Sequence, residues 1–486
     1  VNKSMKLIAV VVVLAASYPA ASWYTGKQVE AKLTESNDQS KFSPYVKVIK
    51  QDYQRGVFSS VQETTLELTL ANLPGLKKPD FPGPDAADQS DDDVAEEPVD
   101  ASGSAAETVP APTEKAAKPV QLRFINRIQH GPLPGFSGFG AASIKTELVL
   151  DEETKAQLAK VFGTANPLEI SAKLNYGGGG RVNISSPAFN TVLEKDKEKV
   201  VWQGLTMEVG FVKDYKDINV NFNAPGLSVD GADGLSFKLG AISLKGDVSR
   251  AYPANSLYLG KTEASIASIN VTDPEGPQKS FTLEQFKLST DVSMKDELVD
   301  LAAKIGVSKF VLDQKAFSDF HYDYGVKRLH GPSLAKISTA YTNAMSDPEK
   351  LGTLKVVWDE VAPLILQKDP ELVLERLSVM TADGEAKLVG SAKLAGATAT
   401  DIANPIMMIS KIQSNLDITL TETLVAQMAG TSQKDPEMQK AALASLNQQI
   451  SAFEGQGFIT RNGKMLNSKI EWKQGSLSVN GKPFSR

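Results

Sequence analysis

The chain has 486 residues, 41% of them apolar, a formal net charge of −6 and no cysteine. Zero cysteine excludes thiol catalysis, zinc–thiolate centres and iron–sulfur clusters, and leaves a large hydrophobic core to do the work that disulfides do in small exported domains. The charge is unevenly placed: residues 79–114 hold seven Asp, four Glu and no basic residue, so the rest of the chain carries a mild positive excess. That excess is too thin for the dense basic stripe that nucleic acid requires, and no nucleic-acid partner is expected.

Lys3 and Lys6 precede an apolar run from Leu7 to Ala21 that closes on Trp23 and Tyr24. Basic, apolar, aromatic is the order of a signal anchor or signal peptide, with the flanking lysines kept inside and the aromatic rings at the headgroup layer. Residues 1–24 are therefore expected to be a single membrane helix, retained rather than cleaved, with the body exported. Residues 25–76 read as a stem and first strand. The acidic Pro/Ala-rich segment 77–119 cannot bury enough apolar surface to offset its ordering entropy and reads as a disordered linker. Asp91, Asp92 and Asp93 do not alternate as calcium-loop ligands do, so no metal is assigned to them.

From residue 60 to 330 the apolar residues alternate with period two, as in Leu168, Ile170, Ala172, Leu174 and in Ile218, Val220, Phe222. Turn signals such as Gly177–Gly180, Pro225-Gly226 and Gly276-Pro277 separate the runs. Strict alternation with short turns predicts antiparallel strands with one apolar and one wet face. Helices are expected late: 333–344, one starting at Asp347-Pro348-Glu349, and one starting at Asp435-Pro436-Glu437 and stopped by Gly455. The fold class is mainly β with C-terminal helices (α+β), an elongated antiparallel sheet or groove behind an N-terminal membrane helix. Residues 120–330 form the β body, and 331–486 complete the same body.

No catalytic constellation stands out. His130 and His330 each begin His-Gly-Pro; lacking any metal-ligand spacing, the two are read as turns in which the imidazole bonds a nearby carbonyl. Gly260-Lys261-Thr262 lacks the upstream glycine of a phosphate loop and sits in a strand pattern. No cofactor is called for, and the chain is read as non-enzymatic.

Four strings matter together: Ser22-Trp23-Tyr24-Thr25-Gly26-Lys27, Tyr53-Gln54-Arg55-Gly56-Val57-Phe58-Ser59-Ser60, Gln129-His130-Gly131-Pro132-Leu133-Pro134, and Gly475 to Pro483. In order and over nearly the whole chain they resemble the YdgA family of bacterial envelope proteins, a domain of unknown function. The resemblance implies an inner-membrane protein with a periplasmic body, a homodimer, and no known reaction. Read physically, Gly56 permits a turn or bulge, Phe58 packs at the start of the first long strand, and Arg55 makes an ion pair or meets a lipid phosphate. Tyr53, Arg55, Gly56, Phe58, His130, Gly131 and Pro132 are the candidate site residues. The leading reading is a protein that binds an apolar ligand, such as a lipid, or an envelope partner through its one-faced sheet. A dimeric scaffold and an envelope-polymer hydrolase are the alternatives.

Overall fold

The structure is a computed structural model that describes residues 18–33 (except 20 and 32), 46–68 and 120–484, the last apart from 137, 194–196, 254, 275–279, 313–314, 347–349 and 431–435. The described residues of 18–33 are helical and form α1. Then come β1 (Val46–Arg55), β2 (Ser59–Leu68), β3 (Val120–His130), β4 (Ala142–Val149), α2 (Glu152–Phe162) and β5 (Glu169–Leu174). Four long strands follow, each broken once: β6 (Gly180–Ser186) with β7 (Phe189–Val192), β8 (Lys199–Trp202) with β9 (Leu205–Phe211), β10 (Asp217–Ala224) with β11 (Leu227–Asp230), and β12 (Ser236–Leu239) with β13 (Ile242–Arg250). Next are β14 (Tyr258–Thr272), β15 (Phe281–Lys295), β16 (Leu298–Leu312), β17 (Lys315–His330), α3 (Gly331–Ser346) and α4 (Leu351–Leu366). The chain continues through β18 (Glu371–Thr381), β19 (Gly384–Leu394), α5 (Ala399–Ile402), α6 (Pro405–Lys411), β20 (Ile412–Thr421), α7 (Glu422–Gly430) and α8 (Pro436–Gln456). It closes with β21 (Thr460–Asn462), β22 (Met465–Lys473), β23 (Ser476–Val479) and β24 (Lys482–Pro483).

Every strand pairing is antiparallel, and successive long strands are neighbours from β1 through β20, β22 and β23. The mainly β, antiparallel expectation therefore holds as one large open meander. Its register lines up the alternating apolar residues into rows. One row runs Ile170, Ile184, Met207, Phe222, Leu244, Ala264, Leu288, Ile305, Tyr322, Leu377, Leu388 and Ile418 across successive strands. Such cross-strand neighbours are the units that stabilise a sheet.

A crease crosses this sheet. At one level in each strand from β6–β7 to β17 the spacing along the apolar face slips from two residues to three: Ser186/Phe189, Trp202/Leu205, Ala224/Leu227, Leu239/Ile242, Ile266/Ile269, Leu283/Phe286, Val307/Phe310 and Phe317/Phe320. A one-residue slip in one strand would turn its apolar side chains to the wet face. Here neighbouring strands slip together, so Leu227 still faces Leu239, Leu239 faces Ile269, and Ile269 faces Leu283. The extra residue bends each strand in the manner of a bulge. Gly204 (φ 84°) takes up the bend in left-handed backbone, as do Gln285 (φ 53°) and Asp319 (φ 47°) without being glycine. At Asp319 the bulge is tied by His321 Nε2 (3.0 Å) and by Arg376 Nη2 (2.7 Å), both on its carboxylate. These contacts hold the Asp319 carboxyl below its ordinary pKa, the His321 hydrogen bond first.

Several expectations need correction. Helix is not confined to the N-terminal segment and the end of the chain: α1 runs on to residue 33, into the expected stem, and α2 lies between β4 and β5. The strands begin before residue 60, with β1. Gly455 lies inside α8, which is ended by Gly457 in left-handed backbone (φ 78°); the conformation, not the first glycine met, makes the stop. The capping tripeptide 347–349, the linker and most of the expected anchor lie outside the described residues. Among the described residues no helix is long and apolar enough to cross a membrane, so the expected N-terminal membrane helix finds no support there.

Candidate functional site

The described chemistry concentrates where α1 lies on the first strands. Ser22, Thr25, Gly26, Val29 and Leu33 recur at helical spacing and form the inner face of α1. Val29 packs with Ile128, Ala142 and Ile144 into a buried cluster edged by Leu33, Tyr53, Ala172 and Leu174. Ile128 has no exposed surface. The helix thus covers the near end of the same face whose rows continue, half-buried, across the rest of the sheet.

His130, the last residue of β3, lies under this helix and is 1% exposed. Its Nε2 is 2.9 Å from Ser60 Oγ, and its Nδ1 is 3.4 Å from the Val57 carbonyl. A carbonyl only accepts, so Nδ1 carries the proton and Nε2 accepts from the serine hydroxyl. Burial pushes the His130 pKa below the ordinary histidine value, with Arg55 acting in the same direction and the Val57 carbonyl and Glu30 opposing. The ring is therefore neutral at neutral pH. Gly26 stands directly over it, and a Cβ there would collide with the imidazole. Helix and histidine approach this closely because residue 26 has no side chain.

Around that joint the other candidates take definite places. Arg55 Nη1 is 2.7 Å from Glu30 Oε2, and its guanidinium lies 5.3 Å from the centre of the Trp23 ring. One arginine therefore grips α1 through an ion pair and a cation–π contact two turns apart. Gly56 closes the β1–β2 turn, its N–H donating to the Ser59 carbonyl at 2.8 Å. Phe58 does not pack at the strand start; it is 51% exposed and stacks on Tyr18 at 5.8 Å. Gly131 has no room for a Cβ, because the Gly140 carbonyl and the Tyr176 hydroxyl occupy that space. The Gly131–Pro132 peptide is cis. Tyr176 Oη in turn lies 3.4 Å from Thr25 Oγ1 of α1. Trp23 and Tyr24 sit on the outer side of α1 and are exposed.

The interface is polar as well as buried. Gln62 Oε1 accepts from Asn126 Nδ2 (2.9 Å), and Asn126 Oδ1 accepts from Thr146 Oγ1 (2.7 Å). Among the described residues, Ser22 Oγ, Gln62 Nε2 and Tyr53 Oη are buried without a hydrogen-bond partner of good geometry. Burial raises the Tyr53 phenol pKa, and the neighbouring Ser60 hydroxyl opposes that shift. Ser60 and His130 have the separation of a nucleophile and its base, yet both are sealed under the helix, Ser60 at 3% exposure. In this arrangement the pair is a hydrogen-bonded joint between sheet and helix.

His130 and His330 do not meet. His330 Nδ1 lies 2.8 Å from Ser333 Oγ where β17 passes into α3, so the second His-Gly-Pro opens a helix rather than a turn. The expected carbonyl partner is present for His130, as Val57, and not for His330; the nearest partner of both is a serine hydroxyl. Lys261 lies within β14, 3.5 Å from Asp291, away from any helix N-terminus. Among the described residues no cluster of three or more His, Asp or Glu is placed to hold a metal ion.

Three of the four strings noted in the sequence therefore converge on one joint: 22–27 on α1, 53–60 at the β1–β2 turn, and 129–134 at the end of β3. The fourth, 475–483, forms β23 and β24 on the far side of β22. The family model for a bacterial protein of unknown function, DUF945, matches residues 1–486. The chain belongs to this family. It is 23% identical to protein YdgA of Escherichia coli (strain K12) over 519 aligned positions, covering 100% of this chain and 95% of that one. Within this DUF945 chain, Gly26, Ser60, Glu30 and Tyr176 are the joint residues that sequence reasoning left out as site residues. Gly26 and Ser60 stood inside the strings; Glu30 and Tyr176 carried no local signal.

Proposed function

We propose that this DUF945 protein is anchored in the bacterial inner membrane with its body in the periplasm, and that it holds an apolar ligand, a lipid acyl chain, along the apolar face of the meander. The observation that carries this reading is the state of that face beyond α1. Its rows are continuous from β5 to β20, yet most of their large side chains are half-buried, and the few fully buried positions there are mostly small, such as Ala224 and Ala303, with Val299 and Val307 of β16 the larger exceptions. Tyr322 remains 38% exposed and Leu372 53%. Among the described helices, α3 and α4 lie against β17, α7 against β19 and β20, and α2 against β7, which leaves the middle strands without a helical cover. A long, uncharged, partly open apolar surface of this kind fits a chain-like hydrocarbon, since each buried methylene contributes about 0.8 kcal/mol.

The alternative of a scaffold that pairs through its sheet edges has less support. Edge strand β1 carries Lys47, Lys50 and a register shift between Val48 and Lys50, and β24 is two residues long. These are features that discourage edge pairing.

The test is lipid extraction and mass spectrometry of the purified full chain, with displacement of a fluorescent fatty acid as the binding assay. The expected result is bound lipid in wild type and its loss in a Leu244→Asp/Leu288→Asp variant that keeps its circular dichroism spectrum. A lipid-free chain that displaces no fatty acid would overturn the reading.

A further inference from the structure

We propose that one end of the sheet rests on the bilayer surface, with Phe58, Phe136 and Phe139 seated among lipid headgroups. The inference rests on the anchored reading above and adds a surface to it. Three connections meet at this end: the β1–β2 turn (56–58), the β3–β4 loop (131–141) and the β5–β6 turn (175–179). Together they contain no charged residue, an unusual composition for exposed loops. Their rings point outward nonetheless. Phe136 is 85% exposed and Phe139 79%. Phe136 also holds left-handed backbone (φ 55°), a conformation that a bulky side chain rarely adopts. Among the described residues, the packing does not account for a bulky residue held in strained backbone with most of its ring exposed. A partner that receives the ring does.

The rings are organised rather than scattered. Tyr18 lies between Phe58 (5.8 Å) and Phe136 (6.4 Å), stacked on both, and its hydroxyl donates to the Leu133 carbonyl at 3.0 Å. Phe139 contacts Tyr176 at 5.3 Å. Tyr18 belongs to the apolar run Leu7–Ala21, so the segment expected to enter the bilayer meets the body at this patch. Aromatic residues around the exit of an apolar helix are what the headgroup layer accepts.

Charge points the same way. The next connection at this end, 212–216, carries exposed Lys213 and Lys216 beside exposed Asp214, a net charge of +1. At the opposite end of the same strands the connections 150–168, 193–198, 231–235 and 273–280 each carry a net charge of −1, all but 231–235 with acidic and basic residues mixed. An anionic bilayer surface attracts the first end and repels the second.

The absence of native cysteine makes a direct test simple. Phe136→Cys, Phe139→Cys and, at the opposite end, Leu235→Cys are each labelled with an environment-sensitive nitrobenzoxadiazole in the full chain. Each is reconstituted into phosphatidylethanolamine–phosphatidylglycerol vesicles containing a headgroup-depth nitroxide lipid. The expected result is a blue-shifted, strongly quenched signal at 136 and 139 and an unquenched aqueous signal at 235. A chain that floats with the vesicles while all three probes stay equally aqueous overturns this inference alone. A chain that does not float overturns the anchored reading, and the inference with it.

Discussion

The two His-Gly-Pro corners stand 200 residues apart and share more than their sequence. Each histidine ends a long strand at the same end of the sheet, each bonds a serine hydroxyl, and each glycine has a tyrosine hydroxyl, Tyr176 or Tyr252, where a Cβ would go. Their outcomes differ because the serines come from different distances. Ser333 is three residues from His330 and belongs to the helix that follows, with Pro332 in the first turn of that helix. Ser60 is 70 residues from His130, on another strand, and the pair is closed over by a third element, α1. The tripeptide specifies a strand end and a tight backbone corner. Whether that corner is a local helix start or a long-range joint is decided by what packs on it.

Substitutions can break this comparison in a definite order. Ile128→Ala should be the most damaging, costing about 2–5 kcal/mol in chemical denaturation, because the side chain is wholly buried under α1 and leaves a cavity. His130→Ala should cost about 2–3 kcal/mol, because a wholly buried ring is removed and the buried Ser60 hydroxyl loses its partner, whereas His330→Ala should cost about 1–2 kcal/mol, because that ring is only half-buried although its partner Ser333 is buried as well. Equal losses at the two positions would contradict the distinction between joint and local corner. Gly26→Ala should cost about 1–3 kcal/mol by overpacking. Hydrogen exchange should localise that loss to residues 21–31, leaving β14–β17 protected. Arg55→Ala is the mildest change, below about 1 kcal/mol, since its pair with Glu30 is partly exposed.

Acid should sharpen the contrast. The folded pKa of His130 is depressed, so the state with α1 undocked takes up the proton more readily. The contribution of the joint is whole above about pH 6.5, the ordinary histidine value, and is lost as the pH falls through the lower folded value. Glu30 and Arg55, the charged groups facing the ring, oppose and reinforce this shift respectively. Amide protection of α1 should therefore weaken between neutral pH and pH 5 in wild type, and His130→Gln should flatten that dependence. A parallel loss in both proteins would assign the effect to other groups.

Much of this was legible in the chain itself. Period-two alternation and short turns point to antiparallel strands; that these join in chain order as one open meander is read from the pairings. The strings around Gly26, Arg55 and His130 were visible as strings. Their convergence was not, because no local rule states which of many strands receives a helix. β1 escapes the period-two pattern for a related reason: Lys47, Lys50 and Asp52 blur it, as suits a strand with one neighbour, β2, among the described strands. Phe58 was read as a packing residue because hydrophobicity alone does not say which large side chains the fold leaves outside.

The slips of three along each strand, such as Leu239 to Ile242 and Ile266 to Ile269, are properties of the sequence alone. Only the register of the sheet aligns them into one crease, because a slip keeps its apolar residues on the common face only when the neighbouring strand slips at the same level. In the same way, the alternation alone makes the face apolar and puts histidine and glycine at its edge. The tertiary structure decided that α1 covers the first strands and leaves the rest half-open, because which parts of an apolar face are buried depends on elements that arrive from elsewhere in the chain.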